Sequence, residues 1–331
     1  MANQSTLDIL YKLSDQALLY QSRIHPWHTR SHPSRKVWVK REDEGSFGIS
    51  GCKKRKYASL IPFLIQSGYT QAVLIGGLRS NHIAGLTQLL IEHRIRPIYF
   101  LKKSHQAHTT GNELLFRMMT KDAEIHWIEG KTWGEVEQLA ATFVDRATVP
   151  TYLIPEGGTC APAVAGASTL YRDIKRNETA CGYAFDHIFI DSGTALMAGV
   201  LACMMAKDNH PGHLHVVLTA GDVHYFSHQL HRIKGWLEQA TQQTFPAVAN
   251  WKTYRPYTAA SFGAVNRTVL DYVMHMAQTE GIITDPIYSA KLFMNAEHQI
   301  MEQNLSGNIL VIHSGGGMGL MGFGERILGQ L

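Results

Sequence analysis

Three lysines and an arginine crowd into one short stretch, Gly51-Cys52-Lys53-Lys54-Arg55-Lys56. It follows a turn-like run, Asp43-Glu44-Gly45-Ser46-Phe47-Gly48-Ile49-Ser50, and leads into a helix-like run from Tyr57 to Gln66. Such a stretch has two readings. It is a solvated basic face, or one lysine turns inward as an amine nucleophile that forms a Schiff base with a carbonyl cofactor. A helix start disfavours added positive charge. A lysine amine there gives up its proton more readily, as Schiff-base chemistry requires. The stretch alone leaves both readings open.

Three further turns carry chemistry-bearing residues. In Ile75-Gly76-Gly77-Leu78-Arg79-Ser80-Asn81-His82, Ser80 and Asn81 bring an acceptor and donors to a helix start, where they also serve as ordinary caps. Asp191-Ser192-Gly193-Thr194-Ala195 offers backbone N–H groups and a hydroxyl at a helix N-terminus. That is an anion cradle, and equally a plain strand-to-helix cap. It is neither the GxxxxGK[ST] loop nor the GxGxxG fingerprint, and no GxGxxG follows any strand, so a nucleotide-binding dehydrogenase is the weakest reading. His313-Ser314-Gly315-Gly316-Gly317 can present a hydroxyl to a ring nitrogen or be a simple turn. No HExxH occurs, and His213 and His215 share a strand face without a carboxylate nearby, so no metal is expected. Ser80 lacks a GxSxG elbow, which argues against a hydrolase triad.

The elements that must position these turns alternate. Short apolar strands are expected at Lys36–Arg41, Ala72–Ile75, Pro97–Leu101, Glu124–Ile128, Thr151–Ile154, His187–Ile190, His213–Leu218 and Asn308–Ile312. Helical runs fall at Asn81–Glu92, Asn112–Thr120, Trp133–Arg146, Ala195–Ala206 and Tyr225–Gln243. The rhythm is βαβ, with a largely parallel sheet. Open α/β sheets place ligands at the turns that end their strands.

A chain of 331 residues is long for one core, so two lobes are expected. The small lobe, 55–165, is inserted into a large one made of 1–54 and 166–331. A net charge of +4 without a long basic block gives no reason to expect a nucleic-acid partner. The opening Met1–Thr6 lacks the features of a signal peptide. No run of about 18 apolar residues marks a membrane span. Cys52, Cys160, Cys181 and Cys203 show no CxxC spacing, and the cytoplasm is the expected compartment.

Taken in order, these motifs resemble the pyridoxal-phosphate-dependent family of 1-aminocyclopropane-1-carboxylate deaminase and D-cysteine desulfhydrase. That family has the tryptophan-synthase-β-like fold, fold type II. Lys40-Arg41-Glu42-Asp43 is similar to its KR[DE]D segment, and Gly51–Lys56 to its G-N-K-x-R-K motif. Arg79-Ser80-Asn81-His82 matches Q-S-N-[QH], Asp285-Pro286-Ile287-Tyr288-Ser289-Ala290-Lys291 matches D-P-x-Y-x-x-K, and His313-Ser314-Gly315-Gly316 matches the closing turn. The matches run from about residue 25 to about residue 325.

The resemblance implies an α/β fold of two lobes, each an open, mostly parallel sheet flanked by helices, and pyridoxal 5'-phosphate as cofactor. It makes Lys53 the Schiff-base lysine, with Lys54 and Lys56 directed to other faces of the helix start. It implies phosphate binding by Ser192, Gly193, Thr194, Ala195 and Leu196. Asn81 would bond the ring hydroxyl, Ser314 would face the ring nitrogen, and Tyr288 would take part in proton transfer near the ring. Ser80, Asn81, His82, Phe262 and Tyr288 would meet the substrate, with Ser80 also a candidate nucleophile. The chain departs from the pattern at Cys52 for Asn, Arg79 for Gln, and Phe262 for the tyrosine of a Y-G-x-x-N segment.

Where the deaminases carry a carboxylate and a leucine, this chain has Ser289 and Ser314, as the desulfhydrase branch has hydroxyls. A neutral hydroxyl facing the ring nitrogen leaves it largely unprotonated. The implied activity is therefore β-elimination from a small amino acid, with D-cysteine the first compound to try. Cyclopropane ring opening and a cofactor-holding relative without activity are the alternatives. A homodimer is the implied assembly.

Overall fold

The computed structural model describes residues 5–45, 51–103, 110–120 and 123–329. Residues 1–4 of the opening segment and 46–50 of the turn-like run lie outside the described residues. The strands are β1 (Ile24–Pro26), β2 (Arg35–Arg41), β3 (Gln71–Gly77), β4 (Arg96–Lys102), β5 (Glu124–Ile128), β6 (Thr151–Ile154), β7 (His187–Ser192), β8 (His213–Leu218), β9 (Trp251–Tyr254) and β10 (Gly307–His313).

They form two sheets. One has six strands in the order β1-β2-β10-β7-β8-β9, and the other has four in the order β5-β4-β3-β6. Every pairing is parallel except that of β1 with β2. The expected α/β architecture of two mostly parallel sheets holds. The short edge strands β1 and β9, absent from the sequence reading, complete the larger sheet.

Parallel strands covered on both faces need continuous apolar sequence. Ile309, Leu310, Val311 and Ile312 are all fully buried at the centre of the larger sheet. Ala72, Val73, Leu74 and Ile75 do the same in the smaller one. Burying a side chain of this size contributes about 1.5–3 kcal/mol, so these runs anchor the strand ends that carry the turns.

The helix bearing the lysines spans Cys52–Gln66. It starts earlier than the run Tyr57–Gln66 read from sequence, which puts Lys53 in its first turn. Two glycines fix its place. Gly51 has φ +72°, and a Cβ there would lie 1.8 Å from the Ser314 carbonyl oxygen. The Cys52 N–H donates to that same oxygen at 3.0 Å, so the lysine stretch docks directly on the turn after β10. Gly166, in the helix Val164–Cys181, lets the Arg55 backbone approach, since a Cβ would fall 2.1 Å from its carbonyl oxygen.

Candidate active site

Beneath the lysine stretch lies a closed cluster of charges. Arg55 donates from Nε and Nη2 to the two Glu42 oxygens at 2.6 and 2.7 Å, and from Nη2 to Asp173 at 2.8 Å. Lys40 donates to Asp173 at 2.8 Å and to Asn177 at 2.7 Å. Ser22 and Tyr20 donate to Glu42 at 2.5 and 2.6 Å. Lys40, Glu42, Arg55 and Asp173 are all buried. Burial pushes the Asp173 carboxyl up, but the charges of Lys40 and Arg55 outweigh it and hold the group at about 2. Two sequence motifs thus meet as a strut that fixes the first turn of the helix.

Lys53 projects the other way, into a cavity of about 1550 Å³ at the ends of the strands. Its Nζ lies 5.6 Å from the centre of the Tyr288 ring. Lys53, Ser80, Asn81, His82, Ser192–Leu196, Phe262, Tyr288 and Ser314 all border this one cavity. Lys54 does not border it and lies over the Tyr20 ring at 5.5 Å.

Lys56 corrects the expectation that it faces elsewhere: it borders the same cavity, because residues i and i+3 sit side by side on a helix. Its amine donates to the Gly157 carbonyl. Burial, then the charge of Lys53, lowers its pKa to about 7.

On one wall, Ser80 caps the helix Asn81–Glu92, its hydroxyl accepting from the His82 N–H at 3.1 Å. Asn81 accepts from Asn112 at 2.6 Å. Arg79 donates to Glu113 at 3.1 Å. The buried His82 ring shares a 2.8 Å bond between Nδ1 and the Tyr57 hydroxyl, while its Nε2 has no partner among the described residues. Burial, then Lys56 and Lys53, disfavours its charged form.

On the facing wall, Ser192–Leu196 leads into the helix Leu196–Lys207. Ala195 sits at the cap position with φ +70° and no side chain caps the helix, so its first N–H groups remain available. Thr194 accepts from Thr159 at 2.8 Å. The Ser192 hydroxyl is buried without a partner among the described residues.

Tyr288 and Phe262 line the cavity with ring centres 6.1 Å apart. Burial, then the charges of Asp285, Asp191 and Glu156, pushes the Tyr288 phenol far up, so it stays protonated. Lys291 ties the Phe262 loop down by donating to the Ala259 carbonyl at 2.7 Å. Ser289 does not face the cavity. It is fully buried and its hydroxyl donates to Asp285 at 2.7 Å, so it turns away because Asp285 claims it. Of the two hydroxyls expected near a ring nitrogen, only Ser314 borders the cavity.

The donor set fits a phosphorylated aldehyde. It offers an amine, an uncapped helix start with an orphaned hydroxyl, a second lysine close by, and a protonated phenol. The family model of pyridoxal-phosphate-dependent enzymes matches residues 20–315. The chain belongs to that family. Its cofactor is pyridoxal phosphate, and the residues above fit it.

A Thermotoga maritima protein provisionally named 1-aminocyclopropane-1-carboxylate deaminase is 26% identical over 294 residues, covering 88% of this chain and 92% of the relative. The D-cysteine desulfhydrase of Serratia proteamaculans is 24% identical over 302 residues, covering 88% and 90%. The crystal structure of a 1-aminocyclopropane-1-carboxylate deaminase homologue superposes with a TM-score of 0.85 over 100% of both chains at 22% identity. That likeness extends the shared fold to the whole length.

Among the described residues no helix is long and apolar enough to cross a membrane, and no group of three or more His, Cys, Asp or Glu is arranged to hold a metal ion. Sequence reasoning missed Lys56 and Asp191 as cavity residues. The i+3 spacing from Lys53 was the available signal for the first. Asp191 stood in the turn Asp191–Ala195 but was given no role of its own.

Proposed function

We propose that this chain is a pyridoxal-phosphate-dependent lyase or deaminase whose reaction is β-elimination from a small amino acid. D-cysteine is the leading substrate, giving pyruvate, ammonia and sulfide. The observation that carries this reading is the Lys53 amine 5.6 Å from the ring of a phenol kept protonated by burial. Elimination needs such a pair, a base at Cα and an acid at the leaving group. Bound pyridoxal phosphate supplies the electron sink that makes the Cα proton acidic.

Lys53 holds the cofactor and takes the Cα proton, and Tyr288 gives its proton to the departing sulfur. The N–H groups of Ser192–Leu196 hold the phosphate, aided by the helix dipole. Ser80 and Asn81, with His82 behind them, hold the substrate carboxylate and the ring hydroxyl. The Phe262 ring narrows the substrate side, and the Ser314 hydroxyl meets the ring nitrogen, as in the desulfhydrase branch. Support comes from the convergence of all these groups on one cavity and from the desulfhydrase among the relatives.

The lobes divide, on this reading, at 1–54 with 166–331 and at 55–165. The cytoplasm is the compartment we infer, and the assembly is a homodimer for which Leu114 and Met118, exposed one turn apart on the helix Asn112–Met119, offer an apolar face; sedimentation would test the assembly. The reaction is tested by supplying the loaded enzyme with D- and L-cysteine, β-substituted alanines and 1-aminocyclopropane-1-carboxylate. Pyruvate with sulfide from D-cysteine is expected. 2-Oxobutanoate from the cyclopropane, with no pyruvate from any β-substituted amino acid, would overturn the reading. No product from any of them would favour a cofactor-holding relative.

A further inference from the structure

Asn112 opens the helix Asn112–Met119 and borders the cavity, as does Asn81, the first residue of the helix Asn81–Glu92. The Asn112 side chain is buried, and its nitrogen donates to two oxygens, the Asn81 Oδ1 at 2.6 Å and the Arg79 backbone carbonyl at 3.2 Å. Its own Oδ1 is buried and has no partner among the described residues. The backbone of the turn after β10 closes over the pair. A Cβ on Gly319 would lie 3.8 Å from the Asn112 nitrogen and 3.9 Å from both polar atoms of Asn81.

An amide side chain carries an accepting oxygen on one side and a nitrogen with two hydrogens on the other. The Arg79 carbonyl can only accept, so the atom of Asn112 that faces it is the nitrogen. The second hydrogen of that nitrogen points at Asn81, whose oxygen must therefore receive it. Turning Asn112 over would set its oxygen against the Arg79 carbonyl, acceptor to acceptor. One backbone carbonyl thus fixes the orientation of both amides. The Asn81 nitrogen, with its two hydrogens, is left for the cavity.

We propose that Asn112 is a positioning residue that locks the Asn81 amide with its nitrogen toward the cavity, so that Asn81 donates to the ring oxygen of the bound cofactor and holds that oxygen as an anion. This deepens the functional reading above, which places Asn81 at that oxygen, and rests on it. A donor facing the oxygen favours its charged form, whereas an acceptor there would favour the hydroxyl. An asparagine without a partner can turn either side of its amide to a ligand. The Arg79 carbonyl, acting through Asn112, removes that choice. With the ring oxygen anionic, the proton stays on the Lys53 nitrogen that joins the cofactor, and the carbon bonded to that nitrogen is kept open to attack by the substrate amine.

The test is the absorbance of the full chain loaded with pyridoxal phosphate at neutral pH, where the anionic ring oxygen gives a long-wavelength band and the hydroxyl a near-ultraviolet one. The wild type is expected to show the long-wavelength band. Asn81→Ala removes the donor and Asn112→Leu releases the amide. Each is expected to raise the ratio of near-ultraviolet to long-wavelength absorbance by about fivefold, the equivalent of one hydrogen bond. The double variant is expected to shift no further than Asn81→Ala alone, because Asn112 acts through Asn81. A near-ultraviolet band in the wild type overturns the proposal. So does an unshifted Asn112→Leu beside a shifted Asn81→Ala, or a double variant shifted by the sum of the two. Should Asn112→Leu not load, a wild-type ratio retained in Asn112→Ala overturns it equally. An Asn81→Ala variant with the wild-type spectrum, or a wild type that takes up no cofactor, instead defeats the functional reading and this proposal with it.

Discussion

Two regions flank Lys53, both rich in buried polar groups, and they differ in one respect. In the cluster of Lys40, Glu42, Arg55 and Asp173 the carboxylates and cations clasp one another. Across the cavity, Asp191 Oδ1, Ser192 Oγ and His82 Nε2 are buried with no partner among the described residues. A buried polar group left unpaired costs about 1–3 kcal/mol, and in the cavity a bound ligand can complete these three. The saturated region is scaffold and the unsaturated one is site. Two of the family motifs, KR[DE]D and the arginine of K-x-R-K, fall largely on the scaffold side.

The same change made in both regions should break the two apart. Glu42→Gln leaves the buried Arg55 and Lys40 to share the one carboxylate of Asp173 and is expected to cost about 3–5 kcal/mol in denaturant unfolding. Asp191→Asn, which removes the charge from a buried carboxyl whose Oδ1 has no hydrogen-bond partner among the described residues, should leave stability unchanged or slightly raised. Equal losses at both positions would contradict the distinction. Lys53→Ala should reduce turnover by about 10²–10⁴-fold or more while moving stability by no more than about 0.5 kcal/mol.

Acid sharpens the comparison further. The buried His215 is bonded to His187 at 3.0 Å and to the Tyr254 hydroxyl at 2.9 Å. Burial, then the charges of His187, His213 and Lys252, lowers its pKa to about 3. Its folded pKa lies below the unfolded value of about 6.5, so the unfolded chain binds the proton first. Stability therefore falls as pH drops below about 6.5, by up to about 1.4 kcal/mol per pH unit. Asp173, held at about 2, adds its own loss only below an unfolded value of about 3.9. Unfolding measured against pH should show the first stage flattened in His215→Phe and the second unchanged. The smallest effect belongs to Thr194→Ala. Backbone N–H groups dominate the phosphate cradle, so cofactor affinity should weaken by about 1 kcal/mol, roughly fivefold in Kd.

Much of this was legible in the sequence, for physical reasons. Strands such as Glu124–Ile128 and His213–Leu218 are short apolar runs closed by turn residues, and they appear with the expected ends. The edge strand Trp251–Tyr254 has no such run, and Ile24–Pro26 is three residues ending in proline. The helix Val164–Cys181 opens on small residues buried on every side, so no apolar stripe announced it. The ordered motifs assembled the cavity-lining residues. They could not show that Asp173 joins Glu42 and Arg55 from over a hundred residues away, nor that Ser289 would be claimed by Asp285.

The central claim is that the Lys53 amine, and no neighbouring lysine, carries the cofactor. Borohydride reduction of the chain loaded with pyridoxal phosphate, followed by peptide mapping, tests it most directly. The account predicts the reduced label on Lys53 alone; a label on Lys54 or Lys56, or none on any lysine of the stretch, would contradict it.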